Sequence, residues 1–401
     1  MRLFQINTTV NTGSTGRIAE DIGLYIIKQG GESMIAYGRK AKRSNSKTYK
    51  IGGKLDQINH LVQTRLFDTH GFHSNNSTVE LIKQIESFDP DVIHLHNLHG
   101  YYLNVEILCD FLKKYNRPVV WTLHDCWAFT GHCCYFERVQ CSKWKTQCGE
   151  CPLQFLYPES IGKDNSRLNF ERKRNAFQGF KNLTIVTVSN WLKEQVKQSF
   201  LNEYEIQTIY NGVDLNIFKP LDQNECKENL GYSGFKILLG VANEWSDGKG
   251  FHSFIEISKN ISPDFKIVLV GVRESQKKIL PDNIIPVDKT NTIEELVEYY
   301  SSADVFITPS IAETFGMVVA ESLACGTPCV VNNTSALPEL ISNDVGKVIN
   351  FNNVNDVINA IRDISKENKI NYKNACTSKA RSLFSIETHL SNYHNIYNKF
   401  I

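Results

Sequence analysis

The chain has 401 residues, 41% of them hydrophobic, 11% aromatic and 22% charged, which excludes a disordered chain and exceeds one small domain. Its 44 Lys and Arg stand against 43 Asp and Glu, so a net charge of +1 offers no global field to hold a nucleic acid by counterion release. The balance hides a division: residues 1–210 carry 26 basic and 20 acidic side chains, and 211–401 carry 18 and 23.

In chain order, Arg2–Asn7 reads as a strand with no apolar leader ahead of it. No stretch reaches the ~18–20 apolar residues of a membrane span, so the expected compartment is the cytoplasm. Gly13-Ser14-Thr15-Gly16-Arg17 follows and opens a helical pattern, then a strand is predicted at Ser33–Tyr37. From Arg39 to Lys54 there are seven basic residues and no acidic one, Arg39, Lys40, Lys42, Arg43, Lys47, Lys50 and Lys54, read as a loop. Further strands are predicted at Val92–Leu95, Val119–Leu123 and Thr184–Val188. A turn at Tyr210-Asn211-Gly212-Val213-Asp214 interrupts the pattern. Strands then return at Lys236–Val241, Lys266–Val270, Val305–Thr308 and Pro328–Val331, the first of them followed by Gly248-Lys249-Gly250.

Short β-branched runs alternating with helical stretches predict parallel sheets of βαβ units. Each half opens alike, so the α/β chain divides into two Rossmann-like domains, 1–210 and 211–385, with a cysteine-rich insertion at 126–152. Ile386, Leu390, Tyr393, Tyr397 and Phe400 recur at helical spacing behind Ser385, a candidate N-cap, which makes 386–401 a terminal helix. Periodicity does not decide whether it covers the second domain or crosses back to the first.

The densest chemistry lies after the strand Val305–Thr308, where Glu313 and Glu321 flank the expected start of a helix. A helix beginning near Thr314 sets the two carboxylates up to ~12 Å apart at ~1.5 Å per residue, with unbonded N–H groups between them. That span suits a nucleotide diphosphate: the amides of Phe315 and Gly316 face the pyrophosphate, Glu321 the ribose and Glu313 a sugar. The bland alternative is a helix with two solvated glutamates.

Glu313-x7-Glu321 after Thr308-Pro309-Ser310, Gly326-Thr327-Pro328, the Tyr210–Asp214 turn and His124-Asp125 after a strand together resemble GT-B glycosyltransferases of family 4, the retaining group. The resemblance runs through the whole chain and is nearest to capsule, exopolysaccharide and colanic-acid transferases, some with a cysteine-rich insertion like that from His124 to Pro152. It implies two Rossmann-like domains facing across a cleft that forms the active site, with closure about Asn211-Gly212, and transfer from a nucleoside-diphosphate sugar to a hydroxyl of a glycan. It implies Glu313 facing the donor sugar, Glu321 on the ribose, Lys249 neutralising the leaving diphosphate and His124 contacting the donor sugar. Gly16, with Arg17 next to it, matches the loop that approaches the donor phosphates, where a Cβ would obstruct the approach. No catalytic cofactor is implied. Where relatives often carry an arginine six residues before the lysine, this chain has Asn243, so Lys249, backbone amides, Arg17 or Arg273 must supply the positive charge.

Asp89-Pro90-Asp91 has the form of a divalent-metal motif but precedes a strand, and is read as a turn. His94, His96 and His99 lie on and after a strand with no acidic partner in sequence, and are read as core or cleft-edge histidines. Cys133, Cys141, Cys148 and Cys151 close in a Cys-x2-Cys turn suited to a structural zinc, with free thiols or a redox pair as alternatives and Cys134 and His132 as spare ligands. The expected partners are a sugar-nucleotide donor and a glycan or lipid-linked glycan acceptor. The basic run adds an anionic membrane contact, or else is a solvated loop. A GT-B sugar-nucleotide epimerase and a non-catalytic nucleotide-sugar-binding protein are the rival readings. An NAD-dependent oxidoreductase fits less well, because neither glycine loop spells Gly-x-Gly-x-x-Gly.

Overall fold

A computed structural model describes residues 1–400 and divides the chain into two units, 1–209 with the residues from Leu390 onward, and Tyr210–His389. The first unit holds seven parallel strands: β1 (Arg2–Val10), β2 (Glu32–Ala41), β3 (Lys47–Lys50), β4 (Val92–Leu95), β5 (Val119–Leu123), β6 (Leu183–Thr187) and β7 (Glu205–Thr208), ordered β3-β2-β1-β4-β5-β6-β7. The second holds six parallel strands: β8 (Lys236–Val241), β9 (Phe265–Val270), β10 (Ile284–Val287), β11 (Val305–Thr308), β12 (Cys329–Asn332) and β13 (Gly346–Ile349), ordered β10-β9-β8-β11-β12-β13. The central strands β4, β5, β6 and β11 are buried at every position, as sheets covered on both faces require. The sequence reading misses β3, β7, β10 and β13. All four are short edge strands with at most one fully buried residue each, so they lack the continuous apolar run that marks a central strand.

One of these corrects the reading of the basic run. It is not a single loop, because β2 extends to Ala41 and Lys47–Lys50 pairs in parallel with Met34–Tyr37. The domain assignment also differs at the C-terminus. Ser385 does cap the last helix (Ile386–Asn398) by accepting the Thr388 N–H at 3.1 Å, but from Leu390 the helix belongs to the first unit.

There its buried Tyr397 OH meets His94 Nδ1 (2.7 Å), and Tyr393 OH meets Thr122 Oγ1 (2.9 Å), whose hydroxyl also meets His94 Nε2 (2.8 Å). Tyr393, Ile396 and Tyr397 join the core with Leu3, Ile22, Val120 and Val186. The helix therefore closes the first unit, and His94 is a core histidine with both ring nitrogens bonded. Tyr397→Phe leaves His94 Nδ1 buried without its partner and is expected to cost about 1–2 kcal/mol, read as a lowered urea midpoint at unchanged m-value.

Candidate functional site

In the second unit the site residues converge where β11 ends. Thr308 leads into Pro309, and the chain runs on to Gly316, whose φ of +106° only glycine adopts readily. The helix starts at Met317 and ends at Ala324, not near Thr314 as the spacing predicts. The cause is the preceding loop, held extended by others: Thr334 Oγ1 donates to Ile311 O (2.8 Å), Asn332 Nδ2 to Ser310 O (3.1 Å) and the Glu313 N–H to Ser335 Oγ (2.8 Å). The helical ladder opens with the Val319 N–H on Gly316 O (2.9 Å), so the N–H groups just ahead of Val319 stay outside the ladder at the positive end of the helix. Phe315 contributes its backbone alone, since its ring is buried against Tyr210 and Phe384.

Lys249 ends a 3-10 turn (Asp247–Lys249) after β8, and the Ile311 N–H on Gly248 O (2.9 Å) docks that turn onto the Glu313 loop. Gly250 follows with φ +75°, and a Cβ there would lie 2.4 Å from the Pro309 ring. The result is an ion pair between Lys249 Nζ and Glu313 Oε1 at 2.5 Å. Glu321 sits within the helix, where one carboxylate oxygen accepts from the buried Tyr300 hydroxyl at 2.8 Å. Burial, and then the Glu321 carboxylate, hold that phenol far above its ordinary range, so it stays a donor. Tyr300 is a positioning residue that the sequence does not reveal, since its partner lies 21 positions on. Beside Asn243, Glu244 pairs with Arg273, an exposed guanidinium at the same end of the sheet.

In the first unit Gly16 lies in helix α1 (Gly13–Lys28). A Cβ there would meet Thr9 Oγ1 at 2.6 Å and the Asn11 backbone N at 3.3 Å, while the Asn11 N–H bonds Gly16 O at 2.9 Å. The protein's own β1–α1 turn thus already excludes a side chain at Gly16. Gly13, at φ +67° with nothing within 4 Å of a Cβ, is the open glycine of the loop. The Arg17 side chain is exposed and turns back toward Gly13 O (3.4 Å).

His124 follows β5 and is 8% exposed. Its Nε2 meets His96 Nδ1 at 3.2 Å, His96 Nε2 meets Gln5 Oε1 at 3.1 Å, and Gln5 Nε2 donates to Ala19 O at 2.8 Å. The Ala19 carbonyl fixes the Gln5 amide, so His96 must donate from Nε2 and accept at Nδ1.

His99 is a second departure, because the fold supplies the acidic partner its sequence neighbourhood lacks. Its Nε2 meets Asp125 Oδ2 at 2.7 Å and its Nδ1 meets Tyr157 OH at 3.1 Å. Burial alone would raise the Asp125 carboxyl, but His99 and the Trp127 N–H (2.9 Å) hold it below its ordinary value. Asp89 and Asp91 lie at the opposite, amino edge: Asp91 accepts the Arg2 N–H (2.6 Å) and Asp89 pairs with Arg117 (2.8 Å).

The insertion is anchored by buried charge. His132 and Asp68 pair at 2.5 Å, and Lys173 Nζ donates to Trp127 O (2.8 Å) and Thr130 O (3.0 Å) beneath the Trp127 ring, burial pushing its ammonium down to about 7. Cys133 donates to Cys151, which brings the Cys151 thiol down to about 7, and the Gly131 N–H points at Cys148 Sγ (3.2 Å). No three of Cys133, Cys141, Cys148 and Cys151 draw together. Among the described residues the one His/Cys/Asp/Glu group whose ligand atoms lie within 4.8 Å of one another is His99, Asp125 and Cys134.

Two parallel α/β units, each with a glycine loop after its first strand, and a lysine–glutamate pair at a helix start define a GT-B glycosyltransferase. Residues 17–217 match the family described as Glycosyltransferase Family 4 and residues 222–383 the one described as Glycosyl transferases group 1, so the chain belongs to glycosyltransferase family 4. It is 24% identical over 365 residues, 87% of each chain, to an Escherichia coli K12 protein described as a colanic acid biosynthesis glycosyl transferase, WcaC. Its fold is that of sucrose-phosphate synthase from Thermosynechococcus elongatus (TM-score 0.74, 16% identity, 99% and 98% of the two chains). It is also that of Anabaena HepE solved with UDP and glucose (TM-score 0.67, 14% identity, 99% of each chain).

Gly16→Ala is expected to lose about 1–3 kcal/mol of stability through overpacking against Thr9 and Asn11. Urea unfolding of the purified variant checks this.

Proposed function

We propose that this glycosyltransferase moves a sugar from a nucleoside-diphosphate donor, with retention at the anomeric carbon, to a hydroxyl of a lipid-linked glycan in the assembly of a surface polysaccharide. The observation that carries the donor half is the Lys249–Glu313 pair beside the N-terminal end of the helix Met317–Ala324. In this reading the diphosphate takes the Lys249 ammonium and the amides ahead of Val319, and Glu321, steadied by Tyr300, accepts from the ribose hydroxyls. Glu313, released from Lys249, faces the sugar. As the glycosidic C–O bond to phosphate breaks, negative charge grows on the leaving oxygen, and a fixed cation and amide dipoles stabilise it more than the bound ground state. The acceptor oxygen attacks the same face, and its proton passes to the departing phosphate. His124 contacts the donor sugar, and no metal takes part in the chemistry. Sequence similarity to a colanic acid biosynthesis protein supports the acceptor class, and the exposed basic run after β2 supports contact with an anionic membrane at the cytoplasmic face.

The test is transfer from a panel of UDP-, GDP-, ADP- and dTDP-sugars to membrane extracts. Lys249→Ala and Glu313→Gln are each expected to lower kcat/KM by roughly 10²-fold or more. Glu321→Gln should act mainly through KM for the donor, while Asp89→Asn and EDTA leave transfer unchanged. Loss of transfer with EDTA from a still-folded protein overturns the metal-independent reading.

The insertion is proposed to take one structural zinc on Cys133, Cys141, Cys148 and Cys151. Supporting this, the four cysteines share one insertion in which Cys133 lies against Cys151 and the Gly131 N–H points at Cys148 Sγ, and coordination would draw the sulfurs inward. Elemental analysis of protein purified in reductant without chelator should give about one zinc per chain; none would assign the cysteines as free thiols.

A further inference from the structure

The helix α2 (Lys54–Phe67) is built inside out. Its buried positions are the polar His60 and Thr64: His60 Nδ1 meets Ser74 Oγ (3.0 Å), His60 Nε2 accepts the Gly71 N–H (3.1 Å) and Thr64 Oγ1 donates to His60 O (2.9 Å). Gln57 also points inward and donates to Gly38 O. The apolar side chains face out: Leu55 is 84% exposed, Ile58 55%, Val62 45% and Leu66 47%. At about 100° per residue these four fall within roughly 80° of one another, a continuous stripe along the helix. A soluble helix turns such a stripe toward its core.

The stripe continues onto a second segment. The Ile161 N–H and Ser160 Oγ bond Arg65 O (2.9 and 3.2 Å), and the Lys163 N–H bonds Leu66 O (3.2 Å), which sets the exposed Ile161 beside the end of α2. Contiguous exposed apolar surface of this kind marks an interaction site. Its surroundings decide the partner. Arg39, Lys40, Lys42, Arg43, Lys47, Lys50 and Lys54 are all exposed, no acidic residue occurs from 39 to 55, and among the described residues only Lys47 of these seven has an ion-pair partner, Glu32. Lysines on an edge strand also discourage strand pairing, which accounts for Lys47 and Lys50 but not for the four that end and follow β2. A second copy is a poor occupant, because a two-fold interface through this stripe would set basic run against basic run. An apolar helical face beside a run of cations of which Lys47 alone is ion-paired matches an anionic bilayer, acyl chains for the stripe and headgroups for the lysines.

We propose that α2 is the membrane-docking element of this transferase, lying in the plane of an anionic lipid surface with Leu55, Ile58, Val62, Leu66 and Ile161 inserted. The proposal rests on the lipid-linked acceptor reading only for its purpose. Gln57 on Gly38 places α2 at the carboxyl half of β2, the same sheet edge at which His124 leaves β5, so docking there brings this edge to a membrane-held acceptor.

Vesicle co-sedimentation tests it without donor or acceptor, with phosphatidylglycerol/phosphatidylcholine vesicles against phosphatidylcholine alone, at 0.1 M and 1 M NaCl. Wild type is expected to prefer the anionic vesicles and to keep part of its binding at 1 M, where the Debye length has shrunk from ~10 Å to ~3 Å but apolar insertion persists. The combined variant Leu55→Gln, Ile58→Gln, Val62→Gln and Leu66→Gln should bind at least tenfold less and lose the salt-resistant part. Combined Lys40→Gln, Lys42→Gln, Arg43→Gln and Lys50→Gln should erase the anionic preference. The single change Leu55→Asp, at the most exposed position, serves if the quadruple variant does not fold. Equal binding by wild type and the Leu variants, or no binding by wild type, overturns the proposal. A wild-type dimer by light scattering that the Leu variants convert to monomer also overturns it, assigning the stripe to a protein interface. Transfer activity with a water-soluble acceptor reports on the transferase reading separately.

Discussion

Every strand in both units runs parallel to its neighbours, and this constraint governs where chemistry can occur. A parallel sheet buries both faces under its return helices, so its side chains are committed to packing and only the loops leaving the strands' carboxyl ends are free to vary. The β1–α1 turn, His124 after β5, Lys249 after β8 and Glu313 after β11 all leave at such ends. Asp89 and Asp91, which in sequence imitate a metal motif, enter β4 at its amino end and are consumed there by Arg117 and the Arg2 N–H.

The same constraint makes polar residues inside the first sheet costly unless each is paired, and the pairing has a use. His94, His96, Gln5 and Thr122 are buried in the sheet, and their hydrogen bonds run outward in two directions. One ends on the terminal helix, where Tyr393 and Tyr397 satisfy Thr122 and His94. The other runs from the Ala19 carbonyl through Gln5 and His96 to His124, and holds the His124 ring at the end of β5. A backbone carbonyl in α1 is thereby linked through the sheet to a residue at the end of β5. Breaking the row anywhere strands a buried polar atom, at a cost of about 1–3 kcal/mol.

How much of this could be read from the residues follows the range of each interaction. Central strands such as Val119–Leu123 announce themselves through unbroken apolar runs, Glu313 and Glu321 through local spacing, and Lys249 only through the family resemblance. The start of the helix at Met317 was not legible, because Ser335, Thr334 and Asn332, up to 23 positions on, hold the preceding loop extended. Asp125 as partner of His99 and Tyr300 as partner of Glu321 depend on which strands become neighbours. For α2 the apolar period was present, but a period does not say which side of a helix faces inward. The polar contacts of His60 and Gln57 decide that, and they come from Ser74, Gly71 and Gly38.

The Lys249–Glu313 pair shows why a short contact need not be a strong one. Lys249 is 41% exposed and Glu313 15%, so solvent screens the attraction, and a pair of this kind contributes about 0–1 kcal/mol to stability. A deeply buried pair would have been a poor choice here, since separating it would leave an uncompensated charge costing about 3–5 kcal/mol. In the proposed reaction a wet pair would keep the lysine extended and neutralised at low cost, and would give it up readily to a diphosphate that carries more charge and meets the helix amides at the same time. Under that proposal Glu313 would turn from holding a cation to facing a sugar. On the proposed mechanism, the weakness of the ion pair in the free chain is what would allow its exchange once a donor binds.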